Sequence, residues 1–256
     1  MKTAGTVSLI GLGMVAAAVV GAVAGHISAR RMLQEDGLRV LTVDRINVKR
    51  INVREEDGGY ALIIANSQNL PGPNPYDTRD KSRRGIPGIL FYDPLGEEIG
   101  GLIFPAKTKD GSLTGGIQLS MDQLRQQGGQ AIALRSWREG DFVRSGLEIV
   151  DYATDKSVRD LGKDPEIQAL LQKLKKLPEE EKARFFHETY LPALGRKGYL
   201  AHRIDLMTEG AQKRVAKLEL RDSLSRPRLR LIVDENDVPR IELLDENGHV
   251  VRAITG

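Results

Sequence analysis

The sequence lacks cysteine entirely among its 256 residues, and it has one tryptophan. Without cysteine there is no disulfide framework and no thiolate nucleophile, and the absence fits either side of a membrane. A charge surplus is missing from most of the chain as well. Residues 1–31 hold Lys2, Arg30 and Arg31 and no acid, so they carry the whole net charge of +3, and the rest of the chain is neutral. A nucleic-acid binder concentrates a basic footprint, so nucleic acid is not an expected partner. The remaining composition, 40% hydrophobic and 29% charged with 27 Gly and 11 Pro, is that of a folded body rather than a disordered or collagen-like chain.

Catalytic signatures are missing too. There is no phosphate-binding P-loop and no G-x-S-x-G elbow. His187-Glu188 opens like a zinc-protease motif, but Leu191 stands where the second ligand belongs. Asp234-Glu235-Asn236-Asp237 lacks the glycine and distal glutamate of a helix-loop-helix Ca²⁺ site and reads as a turn. His202 and His249 stand alone near turns or strand edges. No catalytic, cofactor-binding or metal-ligating residue is assigned, and no cofactor is expected.

What the chain does have begins with residues 7–25, VSLIGLGMVAAAVVGAVAG, an uncharged run whose length as a helix approaches the hydrocarbon thickness of a bilayer. It reads as a single-pass signal-anchor closed by His26 and Arg30–Arg31. The competing reading is a cleaved signal peptide with Ala22-Val23-Ala24 as the small-residue site. Gly13, Ala17, Gly21 and Gly25 recur every four residues and line one helix face, a pattern that lets two membrane helices approach closely; a homo-oligomer through that face is the expectation. The pair Arg30–Arg31 favours a cytoplasmic body by the positive-inside rule, whereas amino-terminal apolar segments usually export the chain behind them. An extracytoplasmic body is the reading adopted.

Gly11-Leu12-Gly13-Met14-Val15-Ala16 also imitates a dinucleotide-binding turn, with Asp44 after Val40–Val43 as the ribose acid. That acid lies 33 residues after Gly11, where about 20 is usual, and residues 14–25 give a crossover helix no polar face. A dinucleotide-dependent oxidoreductase is therefore a remote alternative.

From about residue 44, short alternating segments end in Asp and a turn: Gly88-Ile89-Leu90-Phe91-Tyr92-Asp93, Gly146-Leu147-Glu148-Ile149-Val150-Asp151, Arg228–Asp234 and Arg240–Asp245. Period-2 alternation puts Ile89 and Phe91 on one face and Leu90 and Tyr92 on the other. Asp245-Glu246-Asn247-Gly248 is the clearest hairpin. The pattern leaves barrel, sandwich and blades equally open. The fold class is mainly β: an N-terminal transmembrane helix, then an antiparallel multi-hairpin β body with an inserted helical hairpin. The segments are 1–31 (anchor), 32–153 (first part of the body), 154–200 (helical insertion) and 201–256 (closing hairpins). In the insertion, Asp164-Pro165-Glu166 starts one helix with Ile167, Leu170, Leu171 and Leu174 as its stripe, and Pro178 starts a second that Pro192 and Gly195 end. Arg79, Lys81, Arg83 and Arg84 cluster in the loop 71–87 as a candidate contact for a partner or anionic lipid.

Arg50-Ile51-Asn52-Val53-Arg54-Glu55-Glu56-Asp57-Gly58, the block Gly88–Phe104 and the closing stretch Arg226–Val251 resemble a set of uncharacterised bacterial membrane-anchored, β-rich proteins to which no activity is attached. The resemblance implies an anchor and β repeats over residues 44–152 and 214–254, and no site residue. Together these readings give a non-enzymatic, membrane-anchored binding or scaffolding protein of the bacterial envelope. The alternative is an envelope hydrolase acting on glycan or lipid, with dispersed carboxylates and the helical hairpin at 164–194 as a lid.

Overall fold

The computed structural model describes residues 33–35, 38–109, 111–124 and 129–256. Residues 7–25 and the small-residue face Gly13, Ala17, Gly21 and Gly25 lie outside them. Among the described residues no helix is long and apolar enough to cross a membrane. The chain divides into two units, Met1–Val48 and Lys49–Gly256. In the first, β1 (Leu33–Glu35) and β2 (Leu38–Val40) pair as a two-stranded antiparallel sheet.

The second unit is one antiparallel sheet of thirteen strands. In chain order these are β3 (Arg50–Arg54), β4 (Tyr60–Ala65), β5 (Gly88–Tyr92), β6 (Glu98–Ile103), β7 (Ala106–Lys109) and β8 (Ser112–Asp122). Then come β9 (Gln130–Glu139), β10 (Phe142–Tyr152), β11 (Leu200–Gly210), β12 (Arg214–Arg221), β13 (Pro227–Val233), β14 (Pro239–Leu244) and β15 (Val250–Thr255). Each strand pairs with the next in sequence, except that β6 and β7 both lie along β8, broken apart at Pro105. The sheet is therefore an open meander with β3 and β15 as its edges. Barrel, sandwich and blades, all left open by the pattern, give way to a single layer.

The hairpins owe their register to a recurring turn. Asp93, Asp222, Asp234 and Asp245 each pair by backbone N–H with the carbonyl four residues on, and each carbonyl accepts from the residue three on. Each Oδ1 accepts two further backbone N–H groups: Leu95 and Glu97, Leu224 and Arg226, Asn236 and Val238, Asn247 and His249. The fourth residue is left-handed: Gly96, Ser225, Asp237 and Gly248 all have φ between 62° and 83°. Asp234–Asp237 is thus a turn, as its sequence suggests. These bonds to the ionised form hold the Asp234 and Asp245 carboxyls below the usual range.

Between β10 and β11 stand a short 3-10 turn (Val158–Gly162), α1 (Pro165–Lys176), α2 (Glu179–Phe185), a π turn (Phe186–Tyr190) and α3 (Leu191–Arg196). Asp164 caps α1, its Oδ1 accepting from Glu166 and Ile167 at 3.0 and 3.2 Å. Pro192 does not end the second helix as its sequence suggests. The wider π turn just before it relaxes the helical ladder at the place where the ring would meet a carbonyl, and the helix runs on to Arg196. Gly195 has a packing reason: a Cβ there would lie 2.8 Å from Leu224 Cα, in the turn on which α3 rests.

The buried apolar side chains gather in two clusters. Ile167, Leu191, Ala193 and Leu194 hold the helices together, with Phe186, Tyr190 and Leu200 packed beside them. Tyr60, Ile63, Ala65, Leu70, Leu90 and Tyr92 form the other. The loop 66–87 closes over it, burying Leu70, Pro71, Gly72 and Pro75.

Candidate functional site

Strand register sorts every side chain onto one of two faces. Directly opposed residues share a face, so Ile51 on β3 leads in a straight row through Ile64, Ile89, Leu102, Leu119 and Leu134 to Leu147 on β10. The row goes on through Leu206, Leu218, Leu231 and Ile241 to Ile254 on β15. It crosses the whole sheet, and every position is Ile or Leu. A parallel row, from Val53 through Leu62, Phe91, Met121, Ile132 and Ile149 to Ile204, Leu220, Leu229 and Leu243, is broken by Gly100 and ends at Arg252.

No described residue covers these rows. Leu134 is 55% exposed, Leu206 51%, Met121 53% and Ile254 57%. With strands about 4.8 Å apart the strip is roughly 50 Å long. It leaves on the order of 1,000 Å² of aliphatic surface bare, where the largest patch of a typical monomer is about 300–600 Å². Over β11–β15 the strip dips into a shallow trough of about 540 Å³ lined by Leu206, Leu218, Leu231, Val233, Ile241 and Ile254. Beside the rows, Ser136, Ser145 and Thr208 stand in line on β9–β11, and the same line is apolar at Ile117 on β8 and at Ala216 and Val233 on β12 and β13.

The opposite face carries the loop 66–87, the helices and a network of charges. Arg135 on β9 donates to Glu148 on β10 at 2.6 Å and to Gln130 at 2.8 Å. Arg144 lies 3.6 Å from Glu148 and 3.5 Å from Glu209, which Lys217 also pairs at 2.9 Å. Arg221, 6% exposed in its side chain, reaches Asp205 at 2.8 Å and also pairs with Glu219. Arg230 bridges Glu219 and Glu242 at 2.8 and 3.2 Å. Burial alone would raise the Glu219 carboxyl, but Arg221, Lys217 and Arg230 together hold it below the usual range.

Where the π turn overhangs β9–β11, a cleft of about 360 Å³ is lined by Gln130, Arg135, Arg144, Glu148, Val150, Tyr152, Phe186, His187, His202 and Asp205. His202 sits where a β-bulge shifts the β10–β11 register. Burial, reinforced by Arg221 against the pull of Asp205, pushes its pKa down to about 4. His187 at the mouth is lowered for the same first reason. Burial pushes the Tyr152 phenol up to about 12. Both histidines are thus neutral near pH 7, and Glu148 and Asp205 are each engaged by arginine. Among the described residues no group of His, Asp and Glu has the geometry to hold a metal ion.

The basic residues singled out in the loop take different partners. Arg83 forks onto Glu98 at 2.7 and 2.8 Å and serves as a structural tie. Arg79 pairs locally with Asp77 at 3.1 Å, Lys81 donates to the Thr78 carbonyl, and Arg84 is exposed. Sequence reasoning passed over His202 as isolated, although the fold sets it beside His187 and Asp205 in the cleft wall. It also missed the apolar rows, whose only sequence signal is that the alternating Ile and Leu recur at the same phase in every strand. No family model matches the chain, and no curated protein does.

Proposed function

We propose that this is a non-enzymatic, membrane-anchored binding or scaffolding protein of the bacterial envelope whose working surface is the apolar strip. The observation behind this reading is the unbroken Ile/Leu row across the sheet, half open to solvent. A sheet that backs one face with its own loop and helices, and leaves the other as an aliphatic strip, is built to be completed by something else. Residues 7–25 supply the anchor in this reading, the body lies on the extracytoplasmic side, and the resemblance of the repeated blocks to bacterial membrane-anchored proteins agrees with it.

The test joins membrane fractionation to protease accessibility of a carboxy-terminal tag in wall-stripped cells. The expected result is a tag that stays with membranes and is cut without lysis. A protected, membrane-bound tag places the body in the cytoplasm, and a freely released chain removes the anchor.

A second reading, the envelope hydrolase with a helical lid, is favoured by the cleft beneath the π turn. The two carboxylates of the cleft wall, Glu148 and Asp205, are both bound to arginine. Hydrolysis of a glycan or lipid that is lost in Glu148→Gln with folding retained would establish it.

A further inference from the structure

We infer that the strip is closed by the same strip of a second copy of this chain, two sheets stacking face to face into a sandwich. This rests on the reading of that strip as the working surface.

Three features of the strip point to its own kind as occupant. The first is quantity. A stable interface takes about 800 Å² from each partner, and one copy offers an aliphatic strip of on the order of 1,000 Å². The second is shape. An apolar ridge that runs straight across the sheet meets its own image about a two-fold axis with apolar centre on apolar centre. Facing sheets interdigitate at about 10 Å spacing, and the trough over β11–β15 gives side chains of the facing sheet room to enter. The third is the edge. Arg252 on β15 puts a charge on the strip's apolar side at the outermost strand, which discourages growth beyond one pair of sheets.

The strand order fixes where the axis of a full overlap falls. β9 and β10 are the two middle strands of the path from β3 to β15, and Leu134 and Leu147 face each other across them. Leu134 of one copy therefore lies next to Leu134 of the other.

Because the chain has no cysteine, Leu134→Cys is a unique reporter in the full-length protein in its own membranes. Asn247→Cys, in the exposed β14–β15 turn, is the reference. A bifunctional maleimide of about 10 Å span, matched to facing sheets, should link Leu134→Cys into dimers at least about tenfold faster than Asn247→Cys, the advantage of held proximity. Adding Leu206→Lys, a change at a half-exposed position, should remove most of that advantage. Dimers at equal rates from the two sites overturn the inference.

A water-soluble monofunctional maleimide separates the inference from the reading beneath it. If position 134 is shielded yet gives no dimer, something other than a second copy covers the strip, and only the inference fails. If it is labelled as freely as position 247, the strip is bare in the membrane and both fail.

Discussion

Ile63 and Ile64 are neighbours on β4, yet Ile63 is fully buried and Ile64 is 40% exposed. The same contrast runs through the sheet. One face gathers the loop 66–87, the helices and an arginine–carboxylate network, and the other presents aliphatic rows with no cover among the described residues. The polar-looking face is thus the self-sufficient one. Its charges are matched within the chain, and its two clusters are backed by the chain's own loop and helices. The apolar face, dominated by its two aliphatic rows, has nothing packed over it among the described residues. A face rich in charge can be complete, and a face rich in leucine can be unfinished.

The sharpest way to break this contrast is at Arg221. Arg221→Ala strips the arginine from Asp205 and one of the cations from Glu219, carboxylates that are 5% and 4% exposed, and should cost about 3–5 kcal/mol in urea unfolding. A cost under about 1 kcal/mol, the size expected of surface pairs, would make the network incidental.

Next comes the Ile63/Ile64 pair. Ile63→Ala should cost about 2–5 kcal/mol as a core truncation. Ile64→Ala in an isolated chain should cost less than half of that. In a face-to-face pair the two costs converge, and the Ile64→Ala cost falls on dilution, so unfolding followed against protein concentration reads the covering directly.

The cleft gives a pH-dependent arm. The folded-state pKa of His202 lies near 4, against 6.5 for a free histidine. The unfolded chain therefore binds the extra proton first as pH falls. The contribution of His202 is fully present above about pH 6.5 and fades on the way down to about pH 4, a loss of roughly 3 kcal/mol. His202→Gln should flatten the slope of stability between those pH values. An unchanged slope would place the acid sensitivity elsewhere.

The smallest effect is at the turns. Asp245→Ala removes the acceptor for two backbone N–H groups and should lower the unfolding temperature least of these changes. Its folded pKa is lowered by those bonds. The contribution is therefore present above the usual aspartate range and disappears as the carboxyl protonates below about pH 4. Thermal unfolding of Asp245→Ala beside the parent should show a larger difference at pH 7 than at pH 3.

Local features were legible in the sequence because their causes are local. The alternation of Ile89 and Phe91 against Leu90 and Tyr92, the turns at Asp93, Asp234 and Asp245 and the cap at Asp164 each depend on a few neighbouring residues and stand as the sequence implies, whereas Asp151 lies within β10, opposite Ala201, and opens no such turn. Pro192 misleads because its fate depends on the π turn formed by the residues before it. The loop 71–87 reads in the sequence as a basic candidate contact surface, whereas in the fold Arg83 finds Glu98 fifteen residues on and Pro71, Gly72 and Pro75 are buried. His202 became notable only when the bulge in β10–β11 brought it beside the helices.

By itself, then, the amino-acid order determined that this body is a succession of β hairpins with Asp-led turns and one helical interruption, since period-2 alternation and turn chemistry act within a few residues. Tertiary structure alone decided that the hairpins stay in one open layer, that the loop and the helices share a face, and that an isoleucine or leucine from each of the twelve strands on the path from β3 to β15 falls into one line. Which face receives a cover depends on pairings up to many residues apart, and no single strand carries that information.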